Sequence, residues 1–239
     1  MPRTARMIIV NSPHHVTQKG NYGGVIFSND NYREYYLSLV GEYSRRYELA
    51  LLAYCLLPNH VHFIVIPAQE YSLAKVFNLA HMRYTQYVNK RKKASGHLWQ
   101  GRFRSCVLDS HCLSDAIKYV ERNPARLKLV KKPGEWEWSS AAAHTGERHS
   151  VALKDIFPMV SVNASGWSKY INGRDDVDFL NTIRKQTRVG RPVGLSAFIT
   201  TLESRFGKKL VDLRRGRPVN RVLEARPAVR NSFIGAVPD

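Results

Sequence analysis

Apolar residues along the first 125 positions recur with two different spacings, which predicts alternating strands and helices. Short segments rich in apolar or β-branched residues predict four strands: residues 14–18, 49–57, 60–66 and 98–108. Segments with apolar residues three or four positions apart predict three helices: residues 32–47, 73–90 and 115–122. We expect Ser28 or Asn29 to cap the first helix and Ser114 to cap the third, because a short polar side chain accepts a hydrogen bond from the first turn.

The order β-α-β-β-α-β indicates a ferredoxin-like α+β fold, an antiparallel sheet with helices on one face. We expect this domain to span residues 1–148. Residues 149–239 then form a basic C-terminal extension that contains a candidate helix at 197–206. Arg-Pro pairs in the extension predict that it is partly flexible and becomes ordered on a partner.

The composition is that of a globular protein, with 44% apolar and 23% charged residues. No run of about 18 apolar residues predicts a membrane span. The apolar stretch at residues 7–10 is too short for a secretory signal, so we expect a cytoplasmic protein. The three cysteines form no Cys-x-x-Cys pair, which argues against a disulfide framework or a cysteine zinc site.

The charge distribution changes this picture more than the composition does. Lys and Arg number 37 and Asp and Glu 19, a net charge of +18. No acidic residue occurs between Tyr71 and Leu108. Clustered positive charge on such a chain favours a polyanionic partner, most often nucleic acid.

Two histidines begin the third predicted strand. Residues two apart on a strand share a face, so His60 and His62 present their imidazoles in the same direction. Neutral imidazole binds several divalent metals. A His-x-His pair also occurs as two solvated or hydrogen-bonded side chains at a strand start, and the spacing leaves both interpretations open.

The third helix places a phenol and an amide side by side. Tyr119 and Asn123 are four residues apart and therefore neighbours on one helix face. They can converge on a single site. The same residues also have a purely structural interpretation. The tyrosine can pack in the core, and Asn123-Pro124 can simply end the helix.

Basic residues interleaved with aromatic ones are typical of single-stranded nucleic-acid binding, in which cations follow the phosphates and rings stack on bases. Trp99 and Phe103 are such rings unless they pack in the core. Arg215-Gly216-Arg217-Pro218 has the form of a minor-groove hook. The predicted DNA-binding residues are Lys19, Asn21, Arg83, Lys90, Arg91, Lys92, Lys93, Arg102, Arg104, Arg215 and Arg217.

Four blocks of sequence together resemble the REP-associated tyrosine transposases, relatives of the insertion-sequence transposases with one tyrosine and a His-hydrophobe-His motif. The blocks are HHVTQKGN at 14–21, LPNHVH at 57–62, GHLWQGRF at 96–103, and Tyr119 with Asn123-Pro124. They stand in the family's order, and the resemblance covers about residues 7–145.

The resemblance implies that His60 and His62 hold Mg²⁺ or Mn²⁺, with Asn123 at the position of a third ligand. It also implies that Tyr119 is the nucleophile. Tyr84 and Tyr87 are alternative nucleophiles by chemistry, but they do not match the family's position. Glu121 and Arg122 depart from the family, which often has an uncharged pair there.

The resemblance implies an enzyme that nicks and rejoins single-stranded or hairpin DNA through a 5′-phosphotyrosine intermediate. The expected partner is DNA at the nucleoid, with no small-molecule cofactor and no membrane, and the protein is a monomer or a homodimer. Two alternatives are a non-catalytic nucleic-acid-binding regulator on the same fold and a metal-dependent nuclease that activates water.

Overall fold

Four antiparallel strands form the sheet of the protein. The computed structural model describes residues 6–147 and 153–210. The strands are β1 (His14–Lys19), β2 (Leu49–Leu57), β3 (His60–Pro67) and β4 (Arg104–Val107), in the spatial order β2-β3-β1-β4. This is the order of a ferredoxin-like sheet, and the predicted α+β class is confirmed.

Two long helices cover one face of the sheet. They are α1 (Asp30–Arg46) and α2 (Ser72–Lys92). Their buried side chains, such as Tyr36 and Phe77, pack with Val16 and Phe63 of the strands. Asn29 caps α1 by accepting a hydrogen bond from the amide of Tyr32, as expected for a short polar residue at this position.

A second group of helices covers the opposite face. They are α3 (Leu113–Glu121), α4 (Asn123–Arg126), α5 (Ala141–His144), α6 (Ala164–Asn172) and α7 (Val177–Val189). Trp167 of α6 and Ile183 of α7 are fully buried with Ile64 and Ile117 in a second apolar cluster. The sheet is therefore covered on both faces. The helices on the second face follow the β-α-β-β-α-β unit in the chain.

The structure differs from the sequence prediction at several points. The extended segment at 98–108 is regular only over β4. Trp99 and Phe103 are buried in the core, so they pack rather than stack on bases. Ser114 does not cap α3, since it lies inside the helix. The helices α6 and α7 were not predicted.

Contacts divide the chain between Gly194 and Leu195. The sheet and α1–α7 belong to the first unit. In the second unit the described residues contain α8 (Ser196–Phe206), close to the predicted helix at 197–206. The functional boundary at residue 148 stays a prediction. None of the helices in the described ranges combines the length and the apolar character needed to cross a membrane.

Candidate active site

Strand pairing brings the histidine motif onto the face covered by α3 and α7. In the antiparallel register Thr17 lies opposite His62, and Lys19 lies opposite His60. On the other side of β1, His15 lies opposite Cys106 of β4. Paired residues project on the same face, so three neighbouring strands supply one patch of polar side chains.

Helix α3 places Tyr119 above this patch. Its ring meets those of His15 and His62 edge to face, with centroids 5.5 and 5.6 Å apart and planes at 85° and 87°. The tyrosine is only 4% exposed. Asn123, on the same helix face at the start of α4, is also buried. The predicted neighbours Tyr119 and Asn123 thus border one space with both histidines.

That space is a cavity of about 630 Å³ bordered by His15, His60, His62, Tyr119 and Asn123, which we call the histidine cavity. Basic side chains form much of its remaining wall: Lys19, Arg102, Arg104, Arg184, Lys185 and Arg188. No Asp or Glu is among the described residues that line it. A wall of one sign attracts and concentrates an anionic ligand.

Hydrogen bonds determine which nitrogen of His60 carries its proton. The Asn59 amide donates from Nδ2 to the carbonyl of Gly23 (3.1 Å), which orients its Oδ1 toward His60. His60 Nδ1 lies 2.6 Å from that oxygen and must be the donor. Its Nε2 therefore keeps a lone pair. Burial lowers the pKa of His60 to about 4, with a further contribution from Lys19, so the ring is neutral at pH 7.

His62 is bound to a third histidine. Its Nδ1 lies 2.9 Å from Nε2 of His15, and the two ring planes are within 10° of parallel. His15 Nδ1 in turn lies 2.7 Å from the hydroxyl of Thr187 on α7. Burial lowers the pKa of His15 to about 3 and that of His62 well below its usual range.

The environment of Tyr119 acts on its pKa in opposite directions. Burial raises the pKa of the phenol. A hydrogen bond from Arg184 and the positive charges of Arg184 and Arg126 oppose this. The guanidinium carbons of these arginines lie 5.9 and 5.2 Å from the ring centroid. The same two cations can stabilise negative charge that develops on the phenol or on a phosphate beside it.

The donor set fits the divalent ion that the resemblance implies. His60 has a free Nε2 lone pair, and Nε2 is the ring nitrogen of His62 not engaged with His15. Asn123 Oδ1 accepts a hydrogen bond from Arg126 (2.9 Å) and keeps a second lone pair. Among residues 6–147 and 153–210 no group of three His, Cys, Asp or Glu side chains has a metal-binding arrangement. Two imidazoles and one amide oxygen would leave positions for phosphate oxygens.

The predicted DNA-binding residues fall into three places. Lys19, Arg102 and Arg104 line the histidine cavity. Asn21 lies in the turn after β1, where its backbone amide donates to the carbonyl of Leu98. The third group is exposed on α2 and at the position directly after it: Arg83, Lys90, Arg91, Lys92 and Lys93. Arg215 and Arg217 lie outside the described residues.

The alternative tyrosines do not line the histidine cavity. Tyr84 is fully buried and donates to the carbonyl of Ile26 (2.6 Å). Tyr87 stacks on Tyr35 with ring centroids 4.0 Å apart. Neither is placed beside the histidine motif.

The two residues that depart from the family pattern point away from the cavity. Glu121 is fully buried and is hydrogen-bonded to His144, Ser140 and Trp167. Arg122 pairs with Asp175 at 2.9 Å. Both side chains connect the end of α3 to later parts of the chain. Their charges therefore hold these elements together and do not act in the cavity.

Sequence reasoning missed several residues of the site. His15 is part of the motif pattern, which gives it no role, and Arg126 follows the Asn123-Pro124 stop. The others lie on α7: Arg184, Lys185, Thr187 and Arg188. The sequence does carry a signal for this helix: Asp176 caps it, Leu180, Ile183 and Thr187 share a face, and Gly190 ends it in the left-handed region. That pattern predicts an amphipathic helix docked on the sheet.

A known family matches part of the chain. The sequence profile described as IS200-like transposase matches residues 10–123. This segment, just under half of the chain, is similar to the IS200-like transposases. The resemblance inferred from the motifs is thereby confirmed, and it supports a DNA-processing enzyme of the transposase type. The IS200-like segment contains His60, His62, Tyr119 and Asn123, whereas Arg184 and Thr187 lie beyond it.

One solved structure agrees with this chain at the level of the fold. A REP-associated tyrosine transposase bound to a REP hairpin matches with a TM-score of 0.53 and 16% identity, over 65% of this chain and 99% of that one. A candidate transposase from Deinococcus radiodurans matches with a TM-score of 0.36 and 15% identity, over 51% of this chain and 97% of that one. No curated protein matches significantly.

Proposed function

We propose that the protein nicks and rejoins single-stranded DNA beside a hairpin, with Tyr119 as the nucleophile. One observation carries the proposal. The phenol of Tyr119 borders the same basic cavity as His60, His62 and Asn123, edge to face with His62 at 5.6 Å. The solved relative of the same fold is bound to a REP hairpin, so hairpin DNA is the first substrate to test.

The covalent step follows from this placement. The Tyr119 oxygen attacks the phosphorus of a phosphodiester, and the phenol loses its proton as the new O–P bond forms. The bond from phosphorus to the 3′ oxygen breaks, and that oxygen takes up a proton from solvent. The products are a 5′-phosphotyrosine and a free 3′ hydroxyl. Rejoining is the reverse attack by a 3′ hydroxyl, so one phosphodiester is exchanged for another.

Each neighbouring residue has a defined task in this step. Arg184 and Arg126 offset the effect of burial on the phenol and favour its ionised form. Lys19, Arg102 and Arg104 bind the phosphates of the strand along the cavity wall. His60, His62 and Asn123 hold Mg²⁺ or Mn²⁺, which when bound polarises the scissile phosphate as a Lewis acid. The exposed basic residues of α2 are further predicted contacts.

The direct test is covalent capture. Labelled single-stranded oligonucleotides with hairpins are mixed with the protein and Mn²⁺ or EDTA and separated under denaturing conditions. We expect a shifted band with Mn²⁺ that is absent in EDTA and in Tyr119→Phe. The matched control is Tyr87→Phe, which removes a hydroxyl from a ring outside the cavity and should leave the band unchanged. His60→Ala should bind DNA and form no adduct.

Other outcomes identify the alternatives. An adduct that persists in Tyr119→Phe would refute the assignment of the nucleophile. Cut product without an adduct, retained in Tyr119→Phe, would identify a nuclease that activates water. Binding without cleavage by the wild-type protein, with any metal and across a panel of hairpins, would identify a non-catalytic regulator.

A further inference from the structure

A chain of four side chains runs from β4 through α7 to the histidine motif. Cys106 Sγ lies 3.1 Å from the Thr187 hydroxyl, which lies 2.7 Å from His15 Nδ1, and His15 Nε2 lies 2.9 Å from His62 Nδ1. His15, Cys106 and Thr187 are each at most 2% exposed. Water therefore cannot replace any of these partners, and each hydrogen bond constrains the next.

The chain of hydrogen bonds has two possible directions. A neutral imidazole has one N–H and one acceptor nitrogen. In the first direction His62 Nδ1 donates to His15, His15 Nδ1 donates to Thr187, and the Thr187 hydroxyl donates to Cys106. In the second direction every donor and acceptor is exchanged. The first leaves a lone pair on His62 Nε2, and the second puts a proton there.

We propose that His15 is a positioning residue that accepts the His62 Nδ1 proton and so keeps the Nε2 lone pair of His62 available as a ligand. The proposal rests on the proposed function, in which that lone pair faces a divalent ion. His60 is held in the matching tautomer by Asn59. Both histidines of the motif thus have an acceptor at Nδ1. Such partners fix the orientation and tautomer of metal-binding histidines.

The hydroxyl of Thr187 allows the first direction, because it can accept the proton of His15 Nδ1 while it donates to Cys106 Sγ. The Cys106 sulfur is a suitable end point, since it also accepts from the backbone of His15. The position of Thr187 depends on α7, which packs on β4 and buries Leu180 and Ile183. A helix outside the family segment at 10–123 therefore supplies the hydrogen-bond partner of a histidine inside that segment.

The test reads the tautomer directly, without DNA or metal. Two-bond ¹H–¹⁵N correlation spectra of the full-length metal-free protein, labelled at histidine, identify the protonated nitrogen of His62. We expect the proton on Nδ1 in the wild type. In Thr187→Val, which keeps the shape but removes the hydroxyl, we expect a shift toward Nε2. A wild-type His62 protonated on Nε2 would overturn the proposal.

Metal affinity gives the second readout. Manganese binding, measured by electron paramagnetic resonance without DNA, should weaken about 10- to 100-fold in Thr187→Val and in His15→Leu. His15→Gln, which retains an acceptor, should restore most of it. The control is His14→Leu, which removes the neighbouring buried imidazole that bonds to Ser12 and Ile9 instead. Wild-type affinity in both Thr187→Val and His15→Leu would refute the role of His15.

These readouts separate this proposal from the proposed function. The tautomer of His62 is measured in the metal-free protein, whatever Tyr119 does to DNA. If the expected tautomers are found and no covalent adduct forms, the positioning role stands and the nickase function fails. If adducts form and Thr187→Val leaves both the tautomer and the metal affinity unchanged, the nickase function stands and the positioning role fails.

Discussion

Arg184 of α7 reaches the ring of Tyr119, with its guanidinium carbon 5.9 Å from the ring centroid. Its hydrogen bond and charge lower the pKa of a phenol that burial raises. Arg184→Gln should therefore raise that pKa and slow adduct formation at pH 7, about tenfold for each pKa unit gained if the ionised phenol is the attacking form. The rate should recover as the pH is raised, so the pH profile moves to higher values.

The control for Arg184 is Arg188→Gln, one turn later on α7. It removes the same charge from the same cavity wall. We expect weaker DNA binding without a shifted pH profile. Superimposable profiles of Arg184→Gln and the wild type would show that Arg184 does not act on the phenol.

The basic wall of the histidine cavity predicts where the strand's phosphates bind. Arg102→Gln combined with Arg104→Gln should reduce the slope of log affinity against log salt by about 0.7 for each phosphate of a single strand that the variant no longer neutralises. The matched pair is Lys92→Gln with Lys93→Gln, which removes equal charge from the end of α2. A larger reduction of the slope in the lysine pair would place the main path of the DNA along α2 instead.

The buried Glu121 predicts a decrease in stability with the chemistry intact. It is hydrogen-bonded to His144, Ser140 and Trp167. A glutamine has one oxygen and one NH₂ group, so one of these donors is left without its acceptor. Glu121→Gln should lower the free energy of unfolding by about 1–3 kcal/mol. Adduct formation per folded molecule should be unchanged, since the carboxylate faces away from the cavity.

Urea unfolding measures the stability effect of Glu121→Gln, with the exposed Glu34→Gln of α1 as the control. A surface substitution of this kind changes stability by less than about 0.5 kcal/mol. A folded Glu121→Gln protein that forms no adduct would contradict the separation of Glu121 from the site.

Buried neutral histidines predict acid sensitivity. His81 is bonded to Tyr36 (3.0 Å), and burial, with a contribution from Arg6, lowers its pKa to about 3. The unfolded chain binds this proton near pH 6.5 and the folded protein does not. Stability from this group is complete above about pH 6.5 and falls by about 1.4 kcal/mol per pH unit below it.

Unfolding curves in EDTA between about pH 7 and 5.5 test this prediction. His81→Gln lacks the titrating group, so its stability should depend less steeply on pH, and the difference in slope should approach about 1.4 kcal/mol per unit at the acid end of this range. His97→Gln, at an exposed position, is the control. An unchanged slope in His81→Gln would show that His81 is not held neutral by the fold.

Local patterns in the sequence predicted much of the site. The two-residue period of β3 indicated that His60 and His62 share a face, and the helical period indicated that Tyr119 and Asn123 do. These inferences need only the geometry of one element. The same reasoning failed for Ser114, because the start of α3 depends on the turn that precedes it.

The sequence by itself determined the order of elements in the β-α-β-β-α-β unit, the antiparallel α+β class and the side chains that each of these elements offers. Only the tertiary structure decided which of them meet. His15 and His62 are 47 residues apart and His15 and Thr187 are 172 apart, and strand register and the docking of α7 bring them together. The spacing of residues along the sequence carries no information on such pairs. They meet because apolar faces become buried against each other, and this burial is non-directional and depends on the whole chain.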